Sequence, residues 1–107
     1  MKKISTALLL AGSVTGLALS LPAWAHSPLF DCFDNGDKTL TCEGGFSDGA
    51  SATGVTIRVL DKQGKVLEQA KLNEKGSVTF KRPTGGFSVV FDGGAEHQLT
   101  VLGDDIK

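Results

Sequence analysis

From residue 26 onward the chain is written in strand-sized pieces separated by Gly, Asn and Asp, and that punctuation leaves no segment that reads as a helix. Residues 30–33 and 38–46 flank Asp34-Asn35-Gly36-Asp37, a hairpin signal. Val55, Ile57 and Val59 alternate with Thr56 and Arg58, the period of a half-buried strand. Asp61-Lys62-Gln63-Gly64 turns the chain into residues 65–72. There Glu68 shares parity with Val66 and Ala70, so a bulge is expected. Asn73-Glu74-Lys75-Gly76 makes the next turn, ahead of Val78 and Phe80. After the loop at residues 82–86, Phe87, Val89 and Phe91 share one face, and Asp92-Gly93-Gly94 closes that strand. His97, Leu99 and Val101 share parity on the last. Seven short strands with near-regular turns predict an all-β chain, a single seven-stranded antiparallel sandwich of the immunoglobulin-like type.

The first 25 residues read differently. Lys2 and Lys3 precede an uncharged apolar stretch at residues 4–21, and Pro22-Ala23-Trp24-Ala25 supplies a small-x-small cleavage site. That is the pattern of a secretory signal peptide, with residues 26–107 as the mature domain and the periplasm as its compartment. Cleavage after Ala25 leaves 82 of the 107 residues, enough for one small domain. It also leaves nine Lys and Arg against twelve Asp and Glu, a formal charge of −3. The absence of a basic cluster argues against nucleic acid and anionic lipid as partners. No second apolar run reaches the length of a membrane span, so the mature chain is expected to have none.

Export places Cys32 and Cys42, the only two thiols, where disulfides persist. The hairpin between them has two possible registers. A tight two-residue Asn-Gly turn pairs Cys32 with Thr39 and leaves the cysteines out of reach. A three- or five-residue loop centred on Asp37 sets Cys32 opposite Cys42, with Phe30 and Leu40 on the same face and Thr39, Thr41 and Glu43 on the other. Apolar pattern and thiol chemistry agree on the longer loop, and a Cys32–Cys42 disulfide is expected.

Processing after Ala25 also makes His26 the first residue, so a free α-amine and an imidazole share one residue and form a bidentate chelator. His97 opens the last strand. If the first strand runs parallel beside the last, both histidines reach one end of the sandwich. The amine, the His26 Nδ1 and a His97 nitrogen then make three donors for Ni(II), Co(II) or Cu(II), with water or a carboxylate such as Glu96 as the fourth. Pro28 has no N–H, which rules out a site built on deprotonated amides at the second and third residues. No Met remains after cleavage, so a thioether Cu(I) site is ruled out too. The plainer alternative is a half-buried structural His97 and an exposed terminal His26.

Other chemistry is poorly supported. Asp31, Asp34, Asn35 and Asp37 have calcium-loop composition without the EF-hand spacing. Phosphate-loop glycine patterns and a nucleophile elbow are missing, and a single internal His offers little for catalysis. A non-enzyme is expected.

Several segments resemble one known group: Ala25-His26, Phe46-Ser47-Asp48-Gly49, residues 55–61 with the Gly64 turn, residues 73–80, and Gly94-Ala95-Glu96-His97. The chain is similar to carboxypeptidase-regulatory-like (transthyretin-like) exported modules, especially the periplasmic auxiliary component of bacterial nickel/cobalt uptake transporters. The resemblance implies a metal-binding accessory role beside an inner-membrane transporter. The alternative is a passive protein–protein interaction module that contacts another envelope protein and binds no metal.

Overall fold

A computed structural model describes residues 26–107; the signal-peptide reading concerns residues 1–25 and lies outside the described residues. Seven strands follow one another: β1 (Pro28–Asp34), β2 (Thr39–Phe46), β3 (Thr56–Asp61), β4 (Val66–Lys71), β5 (Ser77–Lys81), β6 (Phe87–Asp92) and β7 (Gln98–Leu102), with a 3₁₀ turn at Gly103–Asp105. They form two antiparallel sheets, β1-β2-β5 and β4-β3-β6-β7. The fold is all-β and sandwich-like. No helix among the described residues is long and apolar enough to cross a membrane.

Period-2 alternation builds the core from both sides. Leu40, Cys42, Cys32 and Phe80 face inward from the three-stranded sheet, and Ile57, Val59, Val89 and Phe91 from the four-stranded one. Leu72 and Ala52 close the end where β2 finishes, and Ile106 closes the other. At that other end the chain is pinned twice. Asp34 N–H donates to the Lys107 carbonyl at 3.0 Å, and Arg82 reaches both Asp34 (2.7 Å) and the Gly103 carbonyl (3.3 Å). Gly44 permits a close contact in the core. A Cβ there would sit 2.8 Å from the Phe91 ring, so Phe91 lies directly against the β2 backbone.

The β1–β2 hairpin takes the longer loop. Cys32 pairs with Cys42 and Asp34 with Leu40, and Asn35 N–H closes the turn on the Thr39 carbonyl at 3.0 Å. Lys38 completes the loop at φ 73°, with Gly36 also left-handed. The Cys32–Cys42 disulfide joins residues whose Cα atoms are 4.0 Å apart.

The expected bulge is in β4. Pairing shifts by one between Val59/Glu68 and Leu60/Val66, leaving Leu67 without a partner on β3. β4 sits beside β3, whereas in constant-type immunoglobulin domains the fourth strand joins the sheet of the first, second and fifth. The reason is local. Asp61 N–H bonds the Lys65 carbonyl at 2.9 Å, and Gly64 N–H bonds Asp61 at 3.0 Å, so the turn has no residues with which to cross the sandwich. β1 and β7 also differ from expectation. They run the same way as facing edges of opposite sheets, and β1 makes its ladder with β2 alone.

Candidate metal centre

The hairpin register continues past the strand ends. Ser27 N–H donates to Ser47 Oγ at 2.9 Å, and Ser47 N–H donates to the Ser27 carbonyl at 2.8 Å. One further step sets His26 opposite Asp48, the same register that sets Cys32 opposite Cys42. His26 Nδ1 lies 2.8 Å from Asp48 Oδ2. The aspartate is itself oriented, because Ala50 N–H donates to its Oδ1 at 2.9 Å and Gly49, at φ +87°, closes the turn on the Phe46 carbonyl. The bond from His26, with help from the Ala50 N–H, holds the Asp48 carboxyl below its ordinary pKa.

Parity also puts His26 on the same face as Phe30 and Cys32, and Phe46 on the same face as Leu40 and Cys42. At the end of the sandwich the two rings stack, with centres 4.4 Å apart and planes 8° from parallel. Phe46 meets Phe91 edge-on at 5.9 Å and so joins the site to the core.

His97 arrives from the other sheet on a tight turn. Gly93 N–H donates to the His97 carbonyl and His97 N–H to the Gly94 carbonyl, both at 2.9 Å, with Gly94 at φ 117°. Its ring stands edge-on to His26, centres 5.2 Å apart at 85°, and edge-on to Phe46 at 5.8 Å. The structure therefore brings His26 and His97 together without a β1–β7 ladder. Glu96 is exposed in the turn before His97, and the carboxylate in contact with His26 is that of Asp48. Continuing the Cys32–Cys42 register by six residues would have found Asp48 from the sequence. Among the described residues, no three His, Cys, Asp or Glu side chains form a ready ligand set. His26 is the hub here, with Asp48 on its Nδ1 and His97 on its ring. With side chains of His26 and Asp48 44% and 36% exposed, an ion or small ligand can reach them.

Asp92 braces the turn that carries His97. Gln98 Nε2, Arg58 Nη1 and Gly94 N–H donate to it at 2.9, 2.8 and 3.2 Å, and these bonds lower its pKa to about 2. A carboxylate with a depressed folded-state pKa contributes stability that is complete above its unfolded value, near 3.8, and is lost as pH falls through about 2. Asp37 and Asp48, also lowered, act in the same acid window. The urea midpoint should therefore fall between pH 4 and pH 2, and Asp92→Asn should be less stable at pH 7 and flatter across that window. Parallel pH profiles for the two proteins would remove this role for Asp92.

No protein family, curated protein or solved structure matches the chain.

Proposed function

We propose that this is an exported, periplasmic β-sandwich that binds or presents a divalent transition ion, nickel, cobalt or copper, as an accessory to uptake or homeostasis. The observation that carries this reading is the pair of imidazoles, delivered by two different sheets to one exposed end with ring centres 5.2 Å apart. Two imidazoles sharing an ion at about 2.0–2.1 Å from each nitrogen hold their ring centres roughly 4.5–6.5 Å apart. Cleavage after Ala25 would free the His26 α-amine, which forms a six-membered chelate with Nδ1, and His97 supplies the third nitrogen. An inner-membrane metal transporter is the partner this reading implies, and no catalytic step is assigned.

The test compares Ni(II), Co(II) and Cu(II) affinities of three proteins: the chain as processed in cells, His97→Ala, and a form with one extra residue ahead of His26. N-terminal sequencing of the processed chain should begin at His26. His97→Ala should weaken binding by about tenfold or more through loss of one donor, and the extra residue should do likewise by removing the amine chelate. Affinity should fall as pH drops below neutrality, because protons compete for every nitrogen. Equal affinities in all three proteins would refute the metal reading.

One observation favours the interaction-module reading. Leu29 and Phe33, 56% and 41% exposed, project outward from β1, an edge strand. That module predicts no dependence of any affinity on His97.

A further inference from the structure

Resting on the metal reading, we propose that Asp48 is the carboxylate donor of this site and sets its preference for divalent over monovalent ions. Three features support the assignment. First, Asp48 Oδ2 lies 2.8 Å from Nδ1 of His26, the atom the amine chelate uses. Two cis donors at about 2.0–2.2 Å from one ion are themselves roughly 2.9–3.1 Å apart. The two atoms therefore already stand at the separation of neighbouring donors on one ion. Second, the two carboxylate oxygens are already divided. Oδ1 accepts from Ala50 N–H within the turn, which leaves Oδ2 for the ion. Third, the position is built by the hairpin's own bonds. The Ser27–Ser47 bonds extend the β1–β2 ladder and hold residues 26 and 48 opposite each other.

Charge gives the selectivity. Coulomb attraction scales with the product of charges, so losing a unit negative charge costs a divalent ion twice what it costs a monovalent one at the same distance. A carboxylate oxygen is also a hard donor, which suits Ni(II) and Co(II) better than soft Ag(I), the redox-stable stand-in for Cu(I). Ag(I) can be held by imidazole nitrogens alone.

The experiment measures Ni(II), Co(II) and Ag(I) affinities for the processed wild type, Asp48→Asn, Glu96→Gln and His97→Ala. Asparagine keeps an oxygen for Ala50 N–H, so the turn should survive, which an unchanged far-UV circular dichroism spectrum would confirm. Asp48→Asn should lower Ni(II) and Co(II) affinity about tenfold or more and shift the visible Co(II) bands, while Ag(I) affinity changes less than about threefold. Glu96→Gln should leave all three ions within about threefold, and His97→Ala should weaken all three. An equal loss for Ag(I) and the divalent ions on Asp48→Asn would mark Asp48 as a structural brace and overturn its assignment as a donor. So would unchanged divalent affinity, or a larger effect from Glu96→Gln. A wild type that holds none of the ions would instead overturn the metal reading, and this assignment with it.

Discussion

Phe91→Ala should cost about 3–5 kcal/mol of unfolding free energy, the range for deleting a fully buried aromatic ring. Phe91 has no exposed surface, packs against Phe30 at 5.3 Å and Phe46 at 5.9 Å, and fills the space left open by Gly44. Smaller replacements cannot recover those contacts, because the surrounding sheets are held by their ladders and collapse only in part. For a domain of this size the loss is about a quarter or more of a total stability near 4–12 kcal/mol. Its effect should reach the candidate site, since Phe46 would lose the ring that supports it beneath His26. Urea denaturation followed by far-UV circular dichroism measures the change, as residues 26–107 contain neither Trp nor Tyr. A cost below about 1.5 kcal/mol would mean that this end of the core is not close-packed.

Replacing both Cys32 and Cys42 by Ser should cost about 2–4 kcal/mol. The two residues are ten apart in sequence, and cross-linking so short a loop removes about 3 kcal/mol of denatured-state entropy. Both positions are buried, at 5% and 0% exposure, so two new hydroxyls would need partners in an apolar interior and the result should fall toward the upper end. The disulfide locks the register that extends to His26 and Asp48, so under the proposed metal reading the double variant should also hold an ion less tightly at temperatures well below its unfolding transition. Stability within 1 kcal/mol of wild type would show that the ladder alone restrains the hairpin. Two free thiols in protein isolated without reductant would contradict the disulfide itself.

Local periodicity and thiol chemistry made much of this chain legible before any coordinates. The alternation of Ile57 with Val59 and of Val89 with Phe91 gave the inward faces. The parity conflict at Glu68 marked the strand that carries the bulge. The pairing of Cys32 with Cys42 followed from choosing the loop that satisfied both the apolar face and the disulfide. Asp48 follows from the same register, six residues beyond the cysteine pair, where the strand periodicity has already ended. Glu96 neighbours His97 in sequence, yet it is exposed in the turn.

By itself, the sequence determined the strands, their turns, the β1–β2 register and the position of each histidine at a strand start. Those follow from residue-level rules: side chains alternate along a strand, and a short turn allows few registers. Tertiary structure alone decided that β4 joins β3, that β1 and β7 face each other across two sheets, and that His26 rests on Phe46 within 5.2 Å of His97. No ladder joins the strands that carry the two histidines, so their separation depends on how Phe30, Phe46 and Phe91 fill the gap between the sheets. That is a sum of side-chain volumes over residues distant in sequence, and no local pattern encodes it.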